Sequence, residues 1–218
     1  MCTVTCLIKP NDIILTSNRD IPKERVHSEP PKIYKINSKN ILFPLDPVGN
    51  GSWIGTNDSE IICLLNHKGE QNGVESRGLI IREILSGKLN IKDLNRACKK
   101  YSPFKLIYLN KNENLFYEIT WDSKKFNIDK IIESVKIWSS TSIYNDEQIK
   151  MKESYFNLNC NIKSSSKDIL NFHQDSYNLL NENFSKTTSI TQVIHGMYIK
   201  MYYKDLVNEK DYDINFSL

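Results

Sequence analysis

The sequence predicts a layered α+β fold in which antiparallel sheet is covered by helices. Runs of β-branched and apolar residues occur in adjacent groups, and helical periodicities occur in groups between them. A parallel, doubly wound sheet would instead need single strands alternating with single helices. No Pro/Gly/Ser-rich stretch or charge block interrupts the 218 residues, so one domain over 1–218 is expected.

Taken in order, Thr3 to Ile8 and Asp12 to Thr16 are strand-like runs separated by Lys9-Pro10-Asn11, which predicts an opening hairpin. The second run reads as a strand ending in the polar residues Ser17, Asn18, Arg19 and Asp20. A polar segment rich in Pro and Lys follows, from Pro22 to Lys39. Gly49-Asn50-Gly51 then introduces Ser52-Trp53-Ile54-Gly55 and the apolar run Ile61 to Leu65, a second strand pair. Ser76 is expected to cap a helix that carries Leu79, Ile80, Ile81, Ile84 and Leu85 on one side and stops at Gly87. Ile91 to Tyr101 repeats that spacing through Leu94, Ala97 and Cys98. Strands are expected at Phe104 to Leu109, Leu115 to Trp121 and Val135 to Ser139. Helices follow at Asp146 to Leu158 and Lys167 to Leu180, the latter led by Ser164-Ser165-Ser166 as caps, and strands at Ser189 to Ile194 and Met197 to Tyr203 finish the chain.

With 29 basic and 26 acidic residues the net charge is +3, too weak to argue for a nucleic-acid or membrane-surface partner, so charge points to no polymeric partner. No window approaches the roughly 18 apolar residues of a membrane span. Met1 to Pro10 lacks the pattern of a secretory signal, so a cytoplasmic location with reduced thiols is expected. Five cysteines without a CxxC pair disfavour a disulfide framework and a thiolate zinc site. His27, His67, His173 and His195 lack metal-ligand spacing, so neither metal nor cofactor is expected. The glycine-rich run Gly49 to Gly55 lacks the Lys-Ser/Thr ending of a phosphate loop and reads as a turn and bulge around a packed Trp53.

Cys2 is where chemistry is expected. A small second residue permits removal of Met1, which would leave a thiol and a free α-amine on one residue. That amine, with an unperturbed pKa of about 7.7–8.0, can take the thiol proton directly or through a water. The plain alternative is a small residue at a frayed start. A hairpin of the first two strands would bring Asn18 to Asp20 to the end of the sheet where the first strand begins, with Asp20 near the amine. Asn66-His67-Lys68-Gly69 closes the strand Ile61 to Leu65; it suits a tight turn and equally an oxyanion-binding Asn amide. The other cysteines have apolar neighbours and read as packed.

Met-Cys-Thr-Val-Thr at the start, Ile14-Leu15-Thr16-Ser17-Asn18-Arg19-Asp20, Gly51-Ser52-Trp53-Ile54-Gly55 and Leu64-Leu65-Asn66 together resemble the NRDE family, which includes the Transport and Golgi organisation protein 2 group. Ser76-Arg77-Gly78-Leu79, Ile137-Trp138-Ser139-Ser140-Thr141 and Thr188-Ser189-Ile190-Thr191-Gln192 extend the resemblance over nearly the whole chain. The fourth position of the Asn-Arg-Asp motif, usually Glu, is Ile21. The family in turn resembles the choloylglycine hydrolases and penicillin acylases, N-terminal-nucleophile enzymes that begin Met-Cys-Thr and cleave amides.

That resemblance implies a four-layered αββα sandwich. It matches Cys2 to the nucleophile, Asn18 and Asp20 to an Arg-Asn-x-Asp motif, and Asn66 to an oxyanion element. Ser17 falls where those enzymes carry Arg, with Arg19 nearby as the other candidate; Trp138 to Thr141 supplies no second Asn. The function implied is a C–N amide hydrolase or acyltransferase for a small acyl-amide substrate. The alternative is a non-enzymatic haem- or lipid-handling protein with an apolar ligand in the same place.

Overall fold

The structure, a computed structural model, describes residues 3–22, 25–179 and 185–216. The fold is mixed α and β, with two antiparallel sheets and few helices, and the chain divides into two units. One unit is discontinuous, Met1–Arg25 with Glu133–Ser217, and the other is Val26–Ile132 with Leu218.

In the discontinuous unit, β1 (Thr3–Ile8) and β2 (Ile13–Pro22) form the expected hairpin, its turn closed by the Lys9 N–H donating to the Asp12 carbonyl at 2.8 Å. The later stretch adds β10 (Val135–Ser139), β11 (Ser185–His195), β12 (Ile199–Asp205) and β13 (Lys210–Phe216). The sheet order is β10-β1-β2-β11-β12-β13, all antiparallel. Two helices, α3 (Asp146–Asn159) and α4 (Ser166–Leu179), pack on it, α3 against β10 and α4 against β2 and β11. Their apolar contact joins Leu7 and Ile14 of the hairpin to Phe156, Cys160, Ile169 and Phe172. Asn145 and Gln148 form a capping box on α3, and Ser165 with Asp168 satisfies the start of α4 in the same reciprocal way.

In the other unit, β3 (Glu29–Ile36), β4 (Lys39–Leu45), β5 (Ile54–Thr56), β6 (Glu60–Asn66), β7 (Phe104–Asn110), β8 (Leu115–Trp121) and β9 (Phe126–Lys130) pair in that order. Helix α1 (Gly78–Leu85) buries Ile80, Ile81, Ile84 and Leu85 against β4 to β6. Its end matches expectation: Gly87, at φ 73°, donates its N–H to the Ile84 carbonyl. Its start does not. Ser76 makes no side-chain cap, the N-cap residue being Arg77, and Leu79 N–H bonds the Ser76 carbonyl instead. Backbone contact fixes this start: Ser52 N–H donates to the Gly78 carbonyl at 3.1 Å, and a Cβ on Gly51 would lie 2.3 Å from the Gly78 carbonyl carbon.

The stretch read as a second helix is three short turns: a 3₁₀ turn at Ile91–Asp93, α2 (Leu94–Ala97) and a 3₁₀ turn at Cys98–Lys100. Bonds from Asp93 N–H to Asn90 O and from Tyr101 N–H to Cys98 O tighten both ends. Strands occupy part of the polar segment 22–39 and also 39–45, 126–130 and 210–216, where none was expected. Among the described residues, no helix is long and apolar enough to cross a membrane.

Candidate functional site

The polar run from Thr16 to Asp20 does not leave the strand, contrary to the sequence reading. β2 continues to Pro22, because β11 lies antiparallel along it from Ser185 to His195 and gives its backbone partners on the side away from β1. Thr16, Ser17, Asn18, Arg19 and Asp20 are all buried. Alternation along the strand divides them: Thr16, Asn18 and Asp20 face the helices, and Ser17 and Arg19 face the other side.

Asp20, 4% exposed, receives a hydrogen bond on each carboxylate oxygen. Tyr144 O–H donates to Oδ2 at 2.9 Å and the Thr187 hydroxyl donates to Oδ1. Thr187 stands directly across from Asp20, and the register shifts between Thr187 and Ser189. The extra residue, Thr188, resets the alternation of β11, so that Thr187 on one side of the bulge and Gln192 on the other both present to the helix face.

Asn18 is held by α4. Its amide N–H donates to the His173 carbonyl at 3.1 Å, which makes its Oδ1 the acceptor for His173 Nδ1–H at 2.6 Å. Nε2 of the ring then accepts from the Thr5 hydroxyl at 2.8 Å. This tautomer is that of a neutral imidazole. Complete burial, helped by the Lys152 ammonium and opposed by Asp20, pushes the His173 pKa down to about 3.

Arg19 is 2% exposed and lies on the face opposite Asn18 and Asp20, with its carbonyl accepting from the Thr188 hydroxyl. Cys2 lies outside the described residues. Thr3, which follows it in the chain, pairs with Asn18 on one side and Ser139 on the other. The Trp138 to Thr141 segment thus borders the start of β1, with Trp138, Ser139 and Ser140 buried. Asn66 belongs to the other unit, half-buried at the end of β6 and paired with Phe104. His67, beside it, has its pKa lowered by burial and by the ammonium groups of Lys105 and Lys68. Gly69, at φ 142°, makes the turn expected there.

Sequence reasoning missed Tyr144, Lys152, His173 and Thr187 as companions of this strand. Lys152 reads as a solvated helical lysine, yet it is 3% exposed and donates to the Thr3 hydroxyl at 2.8 Å. Thr187, directly ahead of the Thr188 to Gln192 stretch of the family resemblance, carried the nearest signal. Among the described residues, no group of three or more His, Cys, Asp or Glu side chains is arranged to hold a metal ion.

The family model described as Transport and Golgi organisation 2 matches residues 1–210. Comparison with curated protein sequences finds no match. Among solved structures, the eukaryotic HslV from Trypanosoma brucei is similar at 11% identity and a TM-score of 0.48, over 88% of this chain and 98% of that one.

Proposed function

The chain belongs to the Transport and Golgi organisation 2 family, and we propose that it works as an N-terminal-nucleophile enzyme on the C–N amide bond of a small acyl-amide substrate. Asp20 is the observation that carries the reading. A carboxylate 4% exposed within a strand costs desolvation that a surface turn would avoid, and both its oxygens are engaged two residues beyond the partner of Thr3.

In this reading Met1 is removed and the Cys2 thiol attacks the substrate carbonyl, its proton passing to the Cys2 α-amine. Asp20 orients that amine, Asn18 fixes the strand beside it, and Arg19 supplies positive charge on the other face of β2. The oxyanion role carried over for Asn66 belongs to the same proposal. Collapse of the tetrahedral intermediate expels the leaving amine with the proton and leaves a thioester on Cys2. Water, or a second amine, then takes the acyl group. The reading also takes 1–218 as one domain of the αββα sandwich type, supported by the helices packed on each sheet. A cytoplasmic site of action suits the buried thiols of Cys6, Cys63, Cys98 and Cys160.

Intact-mass analysis after incubation with a panel of amides and lactams tests the proposal. The expected result is an acyl adduct on a protein that begins at Cys2, lost in Cys2→Ala with the fold retained. Retained Met1, or no adduct from any member of the panel, would overturn it. The lack of an Asn in Trp138 to Thr141 favours a second reading, an apolar-ligand binder; a spectral change on haem titration without any acyl adduct would support it in its haem form.

A further inference from the structure

Lys152 does nothing in the mechanism above, and its surroundings are unusual for a lysine. It lies in α3 two residues from the exposed Lys150, yet is itself buried. Its Nζ donates to the Thr3 hydroxyl at 2.8 Å and sits 3.6 Å from the centroid of the Tyr144 ring. The Tyr144 hydroxyl in turn donates to Asp20 at 2.9 Å. A cation, an aromatic ring and a carboxylate therefore stand in a row, and the cation also touches the first described residue of β1.

An ammonium taken out of water is costly, and an apolar side chain of similar volume would fill this space without that cost. What the charge adds is electrostatic. A cation on the ring face draws electron density from the phenol, which strengthens its O–H as a donor to the carboxylate. Its field also favours the ionised form of the acid behind the ring. Among the described residues, the register also puts Lys200, Tyr202 and Lys204 of β12 and Asp211 and Asp213 of β13 on this face, two or more strands away from β2, and the groups nearer to Asp20 are these. β2 presents Asp20 and α4 presents His173, whose neutral ring senses both Lys152 and Asp20. β1 and β11 present the hydroxyls of Thr3 and Thr187, while Arg19 and Lys136 of β10 lie on the far face of the sheet.

We propose that Lys152 is a positioning residue of the site: through Tyr144 and Thr3 it holds Asp20 as an oriented carboxylate and fixes the start of β1 next to Cys2. Its functional meaning rests on the reading of Asp20 as the partner of the Cys2 α-amine.

The test is ¹³C NMR titration of the full chain labelled at the aspartate carboxyl carbons, with the Asp20 resonance assigned by Asp20→Asn. In Lys152→Met, Asp20 should titrate about one pH unit higher than in the wild type. Lys152→Arg should restore the original value. Tyr144→Phe, which keeps the lysine and the ring but removes the hydroxyl, should move Asp20 in the same upward direction. An Asp20 titration unchanged in both Lys152→Met and Tyr144→Phe would overturn the inference. So would an upward move in Lys152→Arg equal to that in Lys152→Met, which would mark a packing effect. Iodoacetamide alkylation of Cys2 against pH, followed by intact mass, tests the parent reading separately. If Asp20→Asn leaves that profile unchanged, the role of Asp20 at Cys2 fails while the NMR result still decides the role of Lys152.

Discussion

At the scale of the residue, burial sets the chemistry around β2. His173 is neutral because its ring is fully enclosed and both nitrogens are committed, one donating to Asn18 and the other accepting from Thr5. Its folded pKa of about 3 lies below its ordinary value of 6.5, so between those limits the unfolded chain binds the proton more tightly. Stability from this group is therefore complete above pH 6.5 and is lost progressively as the pH falls toward 3. In urea titrations across that window, His173→Gln should flatten the acid-side slope by up to about 1.4 kcal/mol per pH unit. An unchanged slope would show that the imidazole is not buried neutral. The sequence marked Asn18 and Asp20 through their motif, but gave no sign of His173 or Lys152. A helical lysine or histidine has the same local signature whether it faces solvent or a sheet, and only packing separates the two cases.

At the scale of the element, legibility followed the periodicity of burial. The hairpin β1–β2, the strands β6 to β8 and both long helices were readable because an apolar face leaves a period of 2 or 3.6 in the sequence. β3, β4, β9 and β13 were not: β3, β9 and β13 are edge strands of their sheets, whereas β4 is an inner strand whose buried run Ile41 to Pro44 is too short and unbroken to show an alternation. An edge strand pairs on one side only and here leaves much of its length exposed, as in Lys210–Phe216, so its apolar signal is weak. The β3–β4 turn did carry a signal in Asn37-Ser38, which adopt φ values of 49° and 65° and suit a two-residue hairpin. The start of α1 depends on two glycines meeting. Gly51→Ala should therefore destabilise the protein by about 1–3 kcal/mol in thermal or urea melts, since its Cβ has no space beside Gly78. At the other kind of helix start, Asn145→Ala removes a capping box from α3 and should cost about 1 kcal/mol in the same assay.

For the whole molecule, cysteine reactivity is the simplest global probe. Cys6, Cys63, Cys98 and Cys160 are buried, and burial pushes the Cys98 thiol up and the Cys160 thiol up to about 11. Ellman titration of the native protein should therefore detect no more than one thiol of the five, and all five should react in denaturant. Two or more fast-reacting thiols in the native state would contradict the burial of these four. Because Cys63 and Cys98 lie in one unit and Cys6 and Cys160 in the other, the order in which they become reactive during unfolding reports whether the two units open together.

The sequence by itself determined the antiparallel α+β character, the opening hairpin, the packed thiols and the family, because these depend on local periodicity and on motifs contiguous in the chain. Tertiary structure alone decided that Thr16 to Asp20 stay within a strand, since the strand that extends their pairing, β11, is more than 160 residues later in the sequence. It alone brought Tyr144, Lys152, His173 and Thr187 to that strand. The physical reason is the same in each case: a polar side chain gains its meaning from the partner that desolvates it, and that partner is distant in sequence.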